Sequence, residues 1–221
     1  MKKIAPVLFL IIACADLFAV GLQWRAAEMV VKPLIVPSVI LIYLADGPIR
    51  SRLLITALAL CWAGDLFLLA DDQLIYGLAS FLFAHLVFIV VYMQHRDKSL
   101  GNGLDRIRKM RMAVPVLLAG TGLAAMLYPA AGDLRIPVMA YAAALTAMVL
   151  TAIGRFARTS TASFWRVTCG AVLFMASDSI LAINKFLQPV SVAPVLIMST
   201  YCGALYFIAA GLSRHNQYSY E

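Results

Sequence analysis

Two aspartates interrupt apolar segments of this chain that are long enough to cross a membrane. Asp65 lies in the run from Leu53 to Ala70, and Asp178 lies in the stretch ASDSILAINKF, which ends at Phe186. An aspartate at the centre of a membrane helix costs about 2.5–3.5 kcal/mol. Such residues are kept where they face the interior of a helix bundle and act there. Two neighbouring carboxyl groups can divide the roles of general acid and general base, as they do in glycosidases.

The depth of the two aspartates indicates that they share one layer of the membrane. Asp65 follows Arg52 by 13 residues, and Asp178 follows Arg166 by 12. At ~1.5 Å of rise per residue, each lies roughly 18–20 Å from the same membrane edge. We therefore expect their carboxyl groups to face one another across a cavity open to the outer leaflet, within about 10 Å. The structural alternative is that each aspartate pairs with a lysine and only ties helices together.

Further polar residues fall near this layer or just outside it. His85, in the fourth apolar run, is either a proton donor or a histidine satisfied within the core. Lysines near the outer surface could bind a phosphate as point charges. Tyrosines are common at membrane interfaces, although a phenol can also bind a phosphate or a carboxylate. Asp16 reaches a similar depth but lacks a matching motif. The candidates for substrate binding are Lys32, Tyr76, Tyr92, Tyr141, Asn184, Lys185 and Tyr201.

The composition is typical of a polytopic membrane protein. Of the 221 residues, 63% are hydrophobic and 13% are charged, whereas a soluble domain is about a quarter charged. The four cysteines show no CxxC spacing and the three histidines are scattered, so we expect no metal site, disulfide framework or cofactor. No GxSxG motif surrounds Ser177, so a nucleophilic serine is not indicated.

Eight apolar runs predict an all-α integral membrane protein with eight transmembrane helices. They cover residues 4–23, 29–45, 53–70, 74–93, 112–129, 136–153, 165–186 and 191–211. The first run follows Lys2 and Lys3 and is interpreted as an uncleaved helix rather than a signal peptide. Fourteen Lys and Arg residues fall on one predicted side and four on the other. Because basic loops stay in the cytoplasm, both termini should be cytoplasmic, in a bacterial inner membrane.

The chain is predicted to be one membrane domain, residues 1–221, with two related halves. Residues 1–95 and 112–221 are joined by a basic loop, residues 96–111, which could attract anionic lipid headgroups; nothing else indicates a nucleic acid partner. The strings AGDLFLLA from Ala63 and ASDSILA from Ala176 occupy matching runs, and a Phe-Ile pair follows in the next run of each half. Because each half has four spans, these repeats would have the same orientation.

These motifs resemble the YhhN/lysoplasmalogenase family of integral membrane proteins. The resemblance runs from about residue 30 to the end, through VKPL, AGDLFLL and YGLASFLFAH, and then LFMASDSILAINKF followed by Tyr201. The chain departs from the family at Leu205, where a Gln or His often follows the tyrosine. The resemblance implies hydrolysis of the vinyl ether bond of lysoplasmalogens, which yields a fatty aldehyde and glycerophosphoethanolamine or glycerophosphocholine.

Vinyl ether hydrolysis suits the residues named above. Protonation of the β-carbon gives an oxocarbenium ion that water attacks. The reaction therefore needs a carboxylic acid that keeps its proton near neutral pH, and a carboxylate that stabilises the cation or activates water. The predicted catalytic residues are Asp65, Asp178 and His85, the predicted substrate is a lysophospholipid, and membrane lipids surround the protein. Intramembrane carboxylates equally suit a small proton-coupled or lipid transporter, and a non-catalytic scaffold is a third alternative. The sequence leaves the oligomeric state open.

Overall fold

The computed structural model describes residues 4–46, 50–70, 72–96 and 103–218, which fold into eight long α-helices and contain no strand. A short 3-10 turn, Gly132–Leu134, lies between the fifth and sixth helices. All eight helices contain a segment long and apolar enough to cross a membrane. The prediction of an all-helical integral membrane protein is therefore confirmed. The helices are α1 (Ile4–Gly21), α2 (Arg25–Asp46), α3 (Arg52–Leu69), α4 (Leu74–Gln94), α5 (Gly103–Ala130), α6 (Arg135–Ile153), α7 (Thr161–Phe186) and α8 (Ala193–Tyr218).

The helices extend beyond several of the predicted spans. Both α2 and α7 begin four residues before the predicted positions, at Arg25 and Thr161. The largest difference is at α5, which begins at Gly103, so the second half of the predicted basic loop is helical. Lys and Arg are good helix formers, and apolar runs reveal only the part of a helix that lies in the membrane. Residues 97–102 of that loop lie outside the described residues.

Six of the helices pack in a closed ring. Around the ring, α2 packs on α3, α3 on α4, α4 on α6, α6 on α7, α7 on α8, and α8 again on α2. The remaining two helices lie outside it: α1 packs on α2 and α8, and α5 packs on α6 and α7. The ring encloses the interior into which the polar residues of α3 and α7 must point if they are to avoid lipid.

Apolar side chains fill the ring and also cover much of its outside. Ile35, Phe88 and Phe174 are fully buried in the main core. Large apolar side chains such as Leu10 on α1 and Leu118 on α5 are more than half exposed. Soluble monomers rarely expose broad apolar surfaces, whereas lipid chains are a suitable solvent for them. The exposed face is therefore the lipid-facing surface.

Hydrogen bonds from side chains of one helix to backbone carbonyls of the next connect neighbouring helices of the ring. Pro37 has no amide hydrogen, so the carbonyl of Pro33 one turn earlier lacks its helical donor. The Trp62 indole replaces that donor, since its Nε1 donates to the Pro33 carbonyl at 2.9 Å. On the other side of α3, Ser80 Oγ donates to the Leu60 carbonyl at 2.7 Å. These bonds fix α3 between α2 and α4.

A glycine allows α3 and α4 to approach closely. A Cβ atom on Gly64 would lie 2.6 Å from the ring of Phe81 on α4, a distance that real side chains do not adopt. Only a residue without a side chain fits at this contact. Because Gly64 directly precedes Asp65, the contact fixes the rotation of α3 that turns the carboxyl group inward.

A buried arginine connects the helices at the end of the ring where α4, α6 and α8 finish. Arg155 is fully buried; its Nε donates to the His95 carbonyl at 3.0 Å and its Nη2 to Ser163 Oγ at 2.9 Å. Ser163 Oγ in turn donates to the Gly211 carbonyl at 2.6 Å. Burial lowers the pKa of Arg155 to about 10, so the guanidinium is still charged at neutral pH. This network ties α4, α6, α7 and α8 together.

Candidate active site

Asp65 is buried on the inner face of α3 and bound by a tyrosine from α8. Its side chain is 3% exposed, and Tyr201 Oη donates to Asp65 Oδ2 at 2.8 Å. The Tyr201 ring packs edge-on against Phe81 and Phe174, with ring centroids 6.0 and 5.5 Å away. A buried polar group is costly without a partner. The phenol therefore offsets part of that cost and holds the carboxyl group in one orientation.

Asp178 on α7 is bound in a similar way by α6, and a histidine from α4 lies against it. Tyr141 Oη donates to Asp178 Oδ2 at 2.6 Å, and His85 Nε2 lies 3.3 Å from the same oxygen. His85 is fully buried, with its ring edge-on to Tyr141 at 5.2 Å and to Phe174 at 4.9 Å. The histidine is thus a direct neighbour of the carboxyl group.

Both aspartates line one cavity of about 520 Å³, which we call the polar cavity. It lies where α1 ends and α2 begins, and where α7 ends and α8 begins, which is the predicted outer end of the bundle. The structure thus brings together in one space the two aspartates that the sequence places at one depth. The polar side chains that line the cavity are Gln23, Arg25, Glu28, Lys32, Asp65, Ser177, Asp178, Asn184, Lys185 and Tyr201.

A second cavity of about 250 Å³, which we call the apolar cavity, lies between α4, α5, α6 and α7. Its wall is almost wholly aliphatic and includes Leu78, Leu123 and Val138. Asp178 and Lys185 line both cavities, together with the aliphatic residues Leu74 and Leu181. Asp178 therefore lies at the junction between a polar and an apolar space.

The predicted binding residues divide between these cavities. Lys32, Asn184, Lys185 and Tyr201 line the polar cavity, whereas Tyr141 and Lys185 line the apolar one. Asn184 also has a structural task, because its Oδ1 accepts a hydrogen bond from the amide of Val190 at 2.7 Å. It thereby closes the turn between α7 and α8.

Three other predicted residues do not line either cavity. His85 lies behind Asp178, as described above. Tyr76 is 64% exposed and packs near the ring of Phe67 on the outside of the bundle. Tyr92 is fully buried, seven residues beyond His85 and so about 10 Å farther along α4 toward the opposite end. The structure does not bring Tyr76 and Tyr92 to the two aspartates.

Two cavity residues on α2 were not selected from the sequence. Glu28 Oε1 accepts a hydrogen bond from Lys32 Nζ at 2.8 Å, and Glu28 Oε2 lies 3.6 Å from Arg25 Nη1. Arg25 also donates to the carbonyl of Leu69. The spacing of Arg25, Glu28 and Lys32 was the available signal, since residues three and four apart share one helix face.

Asp16 is a third buried carboxyl group, on α1. It is fully buried, and neither of its oxygens has a hydrogen-bond partner among the described residues. It does not line the polar cavity, although Val20 one turn later does. Within the same described ranges, no group of three His, Cys, Asp or Glu side chains could hold a metal ion.

The fold and the site together define an integral membrane protein with two tyrosine-bound aspartates buried inside a ring of helices. The YhhN family model matches residues 27–212 of the chain. The chain therefore belongs to the YhhN family, as its motifs predict.

Curated relatives of the chain carry the name lysoplasmalogenase. The proteins from Mycobacterium bovis and Mycobacterium tuberculosis are each 36% identical over 169 residues, which is 73% of this chain and 60% of the relative. The chain thus spans only about 60% of the length of those relatives. Lysoplasmalogenase TMEM86B from Sus scrofa is 27% identical over 218 residues, covering 96% of this chain and 87% of the relative. No solved structure matches the chain.

Proposed function

We propose that this protein is a lysoplasmalogenase-like hydrolase that cleaves the vinyl ether bond of a lysophospholipid between Asp65 and Asp178. The observation that carries this proposal is the position of Asp178 where the polar and apolar cavities meet. A lysoplasmalogen is an amphiphile whose vinyl ether joins the glycerol to the hydrocarbon chain. Its reactive bond therefore falls at the same kind of junction. The name of the curated relatives supports the same activity.

The two cavities suit the two parts of such a substrate. The apolar cavity would accept the first part of the alkenyl chain, and each buried methylene contributes about 0.8 kcal/mol. The polar cavity would accept the glycerol and the phosphate. Lys32 and Lys185 line its wall and are the proposed phosphate ligands, since a lysine binds phosphate as a point charge.

In the proposed reaction, Asp178 gives its proton to the β-carbon of the vinyl ether. The resulting oxocarbenium ion is stabilised by the carboxylate of Asp65, which also takes a proton from the attacking water. Asp65 gives that proton to the glycerol oxygen as the hemiacetal separates, and the proton of the hemiacetal hydroxyl passes to solvent, so that a fatty aldehyde and the free glycerol hydroxyl group are released. Water is consumed, and no metal or nucleotide takes part in these steps.

His85 is proposed to act through Asp178 rather than on the substrate. Its Nε2 lies 3.3 Å from Asp178 Oδ2, and it does not line either cavity. It can hold the carboxyl group in place and return a proton to it after each turnover. His85 is therefore a positioning residue in this mechanism.

We also propose that the two halves are parallel repeats and that both termini are cytoplasmic. Each aspartate is met by the fourth helix of the other half: Asp65 by Tyr201 of α8, and Asp178 by His85 of α4. The ring contacts of α2 with α8 and of α6 with α4 correspond in the same way. The basic residues of the sequence favour this orientation. The proposed location is a bacterial inner membrane, with the polar cavity toward the outer leaflet.

Aldehyde release from purified protein tests the proposed activity. Lysoplasmenyl and plasmenyl lipids with ethanolamine or choline headgroups would be supplied in mixed micelles, and the aldehyde would be trapped as a hydrazone. Asp133, an exposed carboxylate outside both cavities, provides Asp133→Asn as a charge-matched control. No aldehyde from any of these lipids would refute the hydrolase, and counterflow of an unaltered substrate in proteoliposomes would favour the transporter.

A further inference from the structure

The wall of the polar cavity carries a carboxylate that the proposed hydrolysis does not use. Glu28 lines this cavity together with Arg25, Lys32 and Lys185. Of the described residues around the cavity, Glu28 is the one carboxylate besides Asp65 and Asp178. The three basic side chains suit a phosphate, but a carboxylate beside them opposes one.

We propose that Glu28 binds the ammonium group of a zwitterionic headgroup and so favours lysophospholipids that carry an amine over those that end in a phosphate monoester. This inference rests on the proposed function and adds a residue that determines headgroup specificity in the same cavity.

The contacts of Glu28 show how the ammonium group of a substrate can replace Lys32 as the partner of this carboxylate. Glu28 Oε1 accepts a hydrogen bond from Lys32 Nζ at 2.8 Å, and Glu28 Oε2 lies 3.6 Å from Arg25 Nη1. A phosphate that binds to Lys32 shares the charge that now balances Glu28. The carboxylate then repels that phosphate, and an ammonium group on the same ligand offsets the repulsion. In ethanolamine the ammonium is two carbon atoms from the phosphate oxygen, so it reaches the neighbourhood of Glu28 when the phosphate lies at Lys32.

The surroundings of this cluster distinguish it from an ordinary ion pair on a helix surface. Exposed pairs three or four residues apart contribute little because water screens them. Here the side chains of Lys32 and Glu28 are only 14% and 18% exposed, and they face a cavity shared with two buried aspartates. Charges in such a partly enclosed space discriminate more strongly between ligands than charges on an open surface do.

The test compares three substrates that share one alkenyl chain and differ only in the headgroup: phosphoethanolamine, phosphocholine and a phosphate monoester. We expect Glu28→Gln to lower the ratio of kcat/KM for phosphoethanolamine to that for the monoester by about tenfold. Phosphocholine should show a smaller drop, because its quaternary ammonium cannot donate a hydrogen bond. Asp133→Asn removes the same charge from an exposed turn and should leave the ratio within about twofold.

A binding measurement separates this inference from the hydrolysis itself. Saturated 1-O-alkyl analogues with the same headgroups have no vinyl bond to cleave, and their affinity can be measured by displacement of a fluorescent lysolipid. If the wild-type protein releases no aldehyde, the proposed function fails, but the binding ratio still tests Glu28. An unchanged binding ratio in Glu28→Gln would overturn the inference even if hydrolysis is observed.

A second substitution guards against misfolding. Glu28→Asp keeps the charge but withdraws it from the cavity by one methylene. If Glu28→Gln does not yield folded protein by size-exclusion chromatography, Glu28→Asp should still lower the phosphoethanolamine to monoester ratio by a few-fold. The same ratio as in the wild type would show that Glu28 only holds Lys32 and Arg25 in place.

Discussion

Replacement of Asp178 by asparagine gives the sharpest test of the proposed chemistry. The substitution keeps the shape of the side chain, and the Tyr141 phenol, which donates to Asp178 Oδ2 at 2.6 Å, can donate equally to an amide oxygen. Packing against His85 is also kept. What is lost is the proton that the mechanism delivers to the β-carbon, so the effect should fall on catalysis and not on folding.

The size of the effect follows from the position of the residue. General acid catalysis contributes ~10²–10⁴-fold, and Asp178 is the aspartate that lines both cavities. We therefore expect Asp178→Asn to reduce kcat for aldehyde release by about 10³-fold or more, with little change in the affinity for a saturated ether analogue. If Asp65 and Asp178 act as one unit, the double variant should be hardly slower than either single variant.

The assay is single-turnover aldehyde release, with the thermal unfolding midpoint in detergent as the measure of folding. Asp16→Asn is the matched control, because Asp16 is as deeply buried as Asp178 but does not line the polar cavity. It should keep most of the activity. If folded Asp178→Asn retains more than about a tenth of the wild-type rate, Asp178 is not the proton donor. Asp65 would then become the next candidate for the acid, since it is the other buried aspartate that lines the polar cavity.

Three further substitutions test separate parts of the structure. His85→Ala should slow kcat by about tenfold, less than either aspartate variant, because it acts through Asp178; a loss as large as that of Asp178→Asn would contradict this order. Ala79→Phe places a ring in the apolar cavity and should raise KM for long alkenyl chains more than for short ones. An equal change in KM for both would show that the alkenyl chain does not bind in this cavity. Arg155→Met removes the hydrogen bonds that the guanidinium donates to the His95 carbonyl and to Ser163 Oγ. Because a hydrogen bond to a charged group contributes about 1.5–3 kcal/mol, the unfolding midpoint should fall while kcat of the folded protein stays the same.

The sequence predicts one depth for the two aspartates because the rise of a helix is fixed. Counting from Arg52 and from Arg166 locates Asp65 and Asp178 at one level, and both line the polar cavity. The count does not depend on how the helices are arranged. It works wherever two spans enter the membrane from the same side.

The partners of the aspartates could not be predicted in this way, because they depend on the order of helices in the ring. Tyr201 lies 136 residues from Asp65, and it meets Asp65 because α8 closes the ring against α2. The rotation of each helix matters equally. Tyr76 and Tyr92 lie on the helix that carries His85, yet the Tyr76 side chain points outward and Tyr92 lies about two turns away from His85. A family motif identifies such residues without showing which face they occupy.

The signal for Glu28 was present in the sequence but ambiguous. Arg25, Glu28 and Lys32 share a helix face by their spacing, yet charges near the end of a membrane helix usually lie in the interfacial water. Only the cavity shows that this face turns inward. At the start of α5 the sequence signal was absent. The residues that follow Gly103 form a helix, but they are largely charged and show no apolar periodicity from which a helix could be predicted.

The two aspartates have similar motifs but unlike surroundings, and the difference indicates which would be the acid. The acid must reach a carbon atom of the chain, and Asp178 alone of the two lines the apolar cavity. The base must reach water, and Asp65 lines only the polar cavity. Asp178 also has His85 as a neighbour that can return its proton. The hydrogen-bonding partner of Asp65 is Tyr201, and a phenol is a weaker acid than a protonated imidazole. An internal repeat would provide the same carboxyl position twice, and the unlike neighbours would then give the two copies different tasks.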